Sequence, residues 1–186
     1  MIRLFALIPV LFLAACGSAD LRVAPPQLVA ATADRVSIRY HSVEVTTVTM
    51  PVYAASEEIV VATADGSLAP LGPLWSDEPA RAMTLEIAEG LGAATNKLIA
   101  PSPWPFRDLA DARLDIRVAD FYATQTGLFR ISGQYFVAPE ASGRNVARSF
   151  AVDAPIGPDL TPSAIAAARA EAIRSLVAII LRDGLR

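Results

Sequence analysis

Leu114-Asp115-Ile116-Arg117-Val118-Ala119, followed after Thr126-Gly127 by Phe129-Arg130-Ile131-Ser132-Gly133-Gln134-Tyr135-Phe136-Val137, is the stretch that decides the fold. In each half an apolar residue recurs at every second position, the period of a strand with one face buried and one wet. Two such runs across a short glycine-containing turn predict an antiparallel hairpin. Ser142-Gly143 marks a further turn, and Val146 to Val152 supplies the third strand of a meander.

Downstream the period changes. Thr161 is a predicted N-cap and Pro162 fits the first helical position, where its missing N–H costs nothing. Ile165, Ala168, Ala172, Leu176 and Ile180 then form one stripe, with Arg169, Glu171 and Arg174 elsewhere, so a helix is expected to lie on the sheet.

Upstream, Ser76 is a predicted N-cap with Asp77, Glu78 and Pro79 in the first turn, and Met83, Ile87 and Leu91 share one face. Asn96 is placed to close that helix. Lys97 to Ala100 reads as a short strand, and Pro101-Ser102-Pro103-Trp104-Pro105 as a loop or edge, because proline cannot continue a helix. Ile59 to Ala62 reads as a brief strand entering a turn at Asp65-Gly66, and Val36, Ile38 and Tyr40 as one face of a strand that changes phase near Ser42. The resulting order is strand, short strand, helix, short strand, three-stranded meander, helix. It predicts an α+β two-layer sandwich, mainly antiparallel, with two helices on one face.

The first residues are of another kind. Met1-Ile2-Arg3, an apolar run from Leu4 to Leu13, then Ala14-Ala15-Cys16-Gly17 form a charged n-region, a short h-region and a small-residue cleavage site. Ten apolar residues interrupted by Pro9 are too few to span a bilayer, which takes about 20. Residues 1–15 are therefore read as an export signal, cut between Ala15 and Cys16. Cys16 is the sole cysteine, so no intramolecular disulfide is available and its thiol calls for another explanation. Residues 16–34, with Gly17, Ser18 and the pair Pro25-Pro26, read as a tether, and residues 35–186 as one domain of ordinary size.

Composition excludes several functions. A net charge of −3 without a block of like charges disfavours nucleic acid and polybasic membrane binding. His41 is the only histidine, and it falls in a predicted strand, with no Gly-x-Ser-x-Gly nucleophile turn in the chain. Zinc of familiar ligand spacing has no place here. Asp77-Glu78 and Glu57-Glu58 are adjacent in sequence, as suits a helix start and a solvated turn better than an acid/base dyad. No enzyme, metal or cofactor is expected. Trp75 and Trp104 flank the first helix, and each reads as either a core anchor or a partner contact; Pro103, Trp104 and Pro105 form the favoured docking edge.

Leu13-Ala14-Ala15-Cys16 resembles the lipobox of bacterial lipoproteins. The resemblance implies a diacylglycerol thioether on Cys16, a chemistry that needs the sulfur nucleophile. Gly17 after the cysteine resembles lipoproteins passed on to the outer membrane. Further segments, in order, resemble the PqiC-like auxiliary lipoproteins of ABC-type transport systems: Val48-Thr49-Met50-Pro51-Val52-Tyr53 followed by Ile59-Val60-Val61, Trp75-Ser76-Asp77-Glu78-Pro79, Pro103-Trp104-Pro105, and the hairpin from Leu114. Ala54-Ala55-Ser56-Glu57 departs from that pattern, where the family tends to show Leu-Asp-Arg.

The resemblance implies a fold like the N-terminal domain of TolB. It also implies a non-enzymatic accessory on the periplasmic face of a Gram-negative envelope membrane, the outer one by preference. The expected partners are the membrane itself and an MCE-domain protein that connects to an ABC transporter moving phospholipids or other hydrophobic molecules between the membranes. The apolar composition permits a homo-oligomer. A structural envelope-integrity lipoprotein and a lipoprotein hydrolase are the alternative readings.

Overall fold

The computed structural model describes residues 21–26, 35–157 and 159–186. The export signal, the Ala15/Cys16 cleavage site, the lipidation site and most of the tether lie outside the described residues.

The centre of the fold is the hairpin of β6 (Ala112–Thr124) and β7 (Leu128–Pro139), continued antiparallel by β8 (Val146–Pro155). Leu114, Ile116, Phe129, Ile131, Tyr135 and Val137 are all buried, on the face that the alternation assigns to the core. The opposite face stays wet and carries ion pairs, among them Arg130 with Asp153 at 2.8 Å and Arg117 with Asp115 at 2.7 Å. Pairing of β6 with β7 slips between Val118 and Asp120, where Gly133 lies against the Arg117 carbonyl. A side chain on Gly133 would put its Cβ 2.1 Å from that oxygen, so only glycine fits.

The other edge of β6 is covered by a single run of chain in pieces. β2 (Ser42–Val45) pairs parallel with its first residues, Thr49 bridges to Arg117, a 3-10 turn spans Val52–Ala54, and β3 (Glu58–Ala62) pairs parallel with Ala123 and Thr124. At the break, the Tyr53 phenol oxygen accepts from the Phe121 N–H at 3.0 Å and so serves a backbone group that lacks a strand partner there. Outside β2 lies β5 (Leu98–Pro101), parallel to it; outside β3 lie β4 (Leu68–Trp75), antiparallel, and then β1 (Arg22–Val23), parallel to β4. The long ladders are antiparallel and the short additions parallel.

Two helices cover the buried face. α1 (Pro79–Thr95) ends at Asn96 in the left-handed conformation, φ 55°, as expected. α2 (Pro162–Asp183) begins at Thr161, whose side chain accepts from the Ala164 N–H. The helices touch where Gly90 leaves room for Val177: a Cβ there would meet a Val177 methyl at 3.3 Å. Buried Thr84 of α1 accepts from the Val48 N–H at 2.9 Å and donates to the Ala80 carbonyl, which ties the helix to the sheet edge.

Four expectations are corrected. Residues 36–40 alternate in burial but form no strand, because Val36 and Arg39 donate their N–H groups to the Ala94 and Leu185 carbonyls at the helix ends instead of to a ladder. α1 is capped by Glu78, without a side-chain bond, rather than by Ser76, and Asp77 precedes the helix, pairing with Arg81. β4 was not anticipated, since Pro70, Gly72 and Pro73 conceal its strand character. The tether reading fails at Arg22–Val23: Leu74 and Ser76 donate to the Leu21 and Val23 carbonyls, and Arg22 pairs with Glu57 at 2.7 Å.

Candidate functional site

The proline-rich segment after β5 becomes a loop closed at both ends on β2. At its start the Ser102 N–H donates to the Val45 carbonyl; at its end Asp111 Oδ2 accepts from the backbone N–H groups of His41 (2.7 Å) and Ser42 (3.2 Å). Ser42 Oγ returns the bond by accepting from the Asp111 N–H at 2.9 Å. The reciprocal pattern fixes the loop without any core of its own.

Within it, Trp104 Nε1 donates to the Asp108 carbonyl at 2.7 Å, and the indole meets Phe106 edge to face, ring centroids 5.0 Å apart. Trp104 is half-buried, Pro103 and Pro105 are exposed, Phe106 is 47% exposed and Leu109 71%. The indole therefore braces the loop while Phe106 and Leu109 offer apolar surface to solvent. Beside Leu109 an open cleft of about 400 Å³ runs between Arg39, Asp111, Glu140 and Gly143. Its lining combines charges of both signs with the apolar side chains of Tyr40, Leu109 and Ala110, and it is open rather than enclosing.

The two tryptophans separate. Trp75 is 4% exposed and packs edge to face on Phe121 and Phe129, with ring centroids 6.3 Å away in each case. Arg169 of α2, itself 1% exposed, holds its guanidinium over the Trp75 and Phe121 rings and pairs with Glu86 of α1 at 2.8 Å. Trp75 is thus a core residue and offers no surface for docking, which corrects its place among the partner-binding candidates. Pro103, Trp104 and Pro105 do come together, joined by Phe106, Leu109 and Asp111, which the sequence reading did not single out. Phe106 could have been found from its place next to Trp104-Pro105; Asp111 carries no local signal, because its partners are 70 residues away.

Apart from the buried Arg169–Glu86 pair, the ion pairs described outside the loop have at least one partner open to solvent. Asp153 is held below the usual carboxylate range by its hydrogen bonds from Arg130, and Asp65 by those from Thr63 and Ser67. The Tyr53 and Tyr135 phenols are pushed up by burial and keep their protons at neutral pH. Among the described residues no cluster of His, Cys, Asp and Glu has the makings of a metal site, and no helix is long and apolar enough to cross a membrane.

With this geometry in view, the chain is matched over residues 21–180 by the family model for the ABC-type transport auxiliary lipoprotein component. That match starts at Leu21, directly before β1. Seven solved chains are similar. Two of them align at a TM-score of 0.68: the crystal structure of an uncharacterized protein, 19% identical and matched over 80% of this chain and 94% of its own, and that of a Xanthomonas campestris protein of the DUF330 family, 20% identical, over 87% and 95%. At such identities the likeness shows a common fold. No curated protein matches the sequence.

Proposed function

From the premise that this chain belongs to the ABC-type transport auxiliary lipoprotein family, we propose that it is a non-enzymatic, lipid-anchored adaptor that docks an MCE-domain protein through the loop from Ser102 to Asp111. In this reading Cys16 carries the anchoring lipid on the periplasmic face of the outer membrane. The transport system moves phospholipids or other hydrophobic molecules between the membranes, and the ATPase resides in another subunit.

The observation that carries the docking role is the braced loop itself. Phe106 and Leu109 are exposed although the loop is held at both ends and by Trp104. Interface anchors are commonly large apolar side chains presented on a rigid support, since little conformational freedom is then lost on binding. The same loop argues against a hydrolase: the Asp111 carboxylate meets His41 at its backbone N–H, and Ser42 likewise, rather than at the imidazole.

The test is photocrosslinking in cells from a photoreactive residue placed at Phe106, with Gln134 on the open sheet face as the control position. Capture of an MCE-domain protein from position 106 and not from 134 is the expected result. Capture from 134 alone, or of no transport component from either position, removes the reading.

A further inference from the structure

Each arginine carried by β1, α1, β6, β7 and α2 is paired with a carboxylate. Arg39, Lys97, Arg107, Arg144, Arg148 and Arg186 have no such partner among the described residues. The strand registers put these six at one end of the sheet. Arg39, Lys97 and Arg107 precede β2, β5 and β6, and β2 is parallel to both neighbours, with Ser42 beside Leu98 and Val43 beside Ala112. Ala112 faces Pro139 of β7, so the β7–β8 turn with Arg144 lies there too, and Arg148 follows among the first residues of β8. The Arg39 N–H donates to the Leu185 carbonyl and brings Arg186 to the same place.

Asp108, Asp111 and Glu140 share this end, and Asp111 is engaged by the His41 and Ser42 amides. Unpaired cations therefore outnumber side-chain carboxylates there. Elsewhere the unpaired charge has the opposite sign: Glu58, Asp65, Glu78, Glu89, Asp120 and Asp159 have no ion-pair partner among the described residues. A chain with a net charge of −3 thus keeps one basic end. Gathering like charges costs self-repulsion, which an anionic partner relieves.

The open cleft belongs to this end. Arg39 lines it, Gly143, directly before Arg144, forms one wall, and Leu109, two residues after Arg107, forms another. Phe106 and Leu109 add exposed apolar surface on the same loop. An occupant must therefore offer negative charge and an apolar side chain together. A bilayer of anionic lipid presents one sign of charge over a broad surface; it would meet Asp108 and Glu140 with repulsion and leave the concavity unfilled. A protein segment can answer both signs, and the arginine guanidinium forks onto a carboxylate.

We propose that this end of the domain receives an acidic segment of its protein partner, whose carboxylates lie against Arg107 and Arg144 while an apolar side chain of the same segment rests on Phe106 and Leu109. The proposal rests on the reading of the Ser102–Asp111 loop as the dock and names the chemistry of what the loop meets.

The test is photocrosslinking in cells from position 106 of the full-length protein. Arg107→Gln/Arg144→Gln is compared with Gln125→Glu/Gln134→Glu, which changes the net charge equally but away from the cleft, and circular dichroism of the purified proteins checks that both fold. Capture of the protein partner should fall roughly fivefold or more in the arginine variant, hold in the glutamate variant and return in large part in Arg107→Lys/Arg144→Lys. The crosslinked partner peptide should carry Asp or Glu. Undiminished capture without the arginines, or a captured peptide lacking carboxylates, overturns the acidic segment and leaves the loop's docking role standing. Equal loss in both charge variants reduces the effect to net charge and overturns it likewise, as do adducts to phospholipid or to a second copy of this chain in place of the partner. Capture of no transport component in the native background removes the docking reading, and the acidic segment with it.

Discussion

The guanidinium carbon of Arg169 lies 5.5 Å from the centre of the Trp75 ring. The pairing joins α2 to the end of β4, and Glu86 adds α1 through its 2.8 Å bond to Nη1. A cation so deeply buried is tolerated only because an aromatic face and a carboxylate stand in for water. Replacing Arg169 with Ala should cost about 3–5 kcal/mol, the range for breaking a buried pair from one side. The double variant Arg169→Met/Glu86→Leu should recover much of that, giving a coupling of more than about 1 kcal/mol in a double-mutant cycle. Urea unfolding of the native protein, the single variants Arg169→Met and Glu86→Leu, and the double variant measures it; additive losses would mean that the two side chains do not act as a unit.

Tyr53 supports the sheet where β6 loses its strand neighbour. Tyr53→Phe removes the acceptor of the Phe121 N–H and should lower stability by about 1 kcal/mol. A general loosening would predict the same figure, so the informative measurement is amide hydrogen exchange. Protection should fall at Phe121 and hold at Ile116, which sits in the paired part of the strand. Equal loss at both sites would show that the phenol has no local role.

What the sequence could disclose depended on whether the determinant was local. The β6–β7 hairpin, the Thr161 cap and the Asn96 stop are each written in neighbouring residues, by alternation, by a hydroxyl three positions before an amide, and by a residue suited to positive φ. β4 was hidden because Pro70, Gly72 and Pro73 are poor strand formers, and the strand exists by virtue of its ladder with β3. β1 is two residues long, too short for any period, and depends on Glu57 and the β4 backbone. For the candidate site, Pro103-Trp104-Pro105 was legible as a loop. The separate fates of Trp75 and Trp104 were not, since Phe121, Phe129 and Arg169 come from distant parts of the chain.

Gly133 should not admit even a methyl group. A Cβ would sit 2.1 Å from the Arg117 oxygen, a backbone atom that cannot rotate away, so the β6–β7 ladder must shift. Gly133→Ala should cost at least about 1–3 kcal/mol, the range for overpacking. The thermal midpoint is the measurement, with Gly66→Ala, where a Cβ meets nothing within 4 Å but φ is +86°, as the comparison for backbone strain alone. A loss at position 133 no larger than that at 66 would remove the contact from the explanation.

Asp111→Ala separates the loop's order from the stability of the domain. The substitution leaves the His41 and Ser42 amides without their carboxylate acceptor, at positions open enough for water to replace it in part. A loss of about 1–2 kcal/mol is expected. Phe106 should become more accessible to protease at Arg107 while the Leu114–Val118 amides stay protected. If crosslinking from Phe106 to its partner persists undiminished in this variant, the loop's fixed shape is irrelevant to docking.

Acid should weaken the open sheet face in a defined window. Asp153 accepts two hydrogen bonds from Arg130, both 2.8 Å, and its pKa in the folded protein lies below the ordinary value. A carboxylate whose folded pKa is depressed adds stability that is present above its unfolded pKa, near 3.9, and is lost as pH falls through the folded value. The pair is more than a third exposed, so its contribution is that of a surface pair, roughly 0.2–1 kcal/mol. Urea midpoints measured from pH 6 down to about pH 2.5 should therefore fall less steeply below pH 4 in Asp153→Asn than in the native protein, with the two curves converging at the acid end. Parallel curves throughout would show that Arg130 stabilises the strand pair by packing alone.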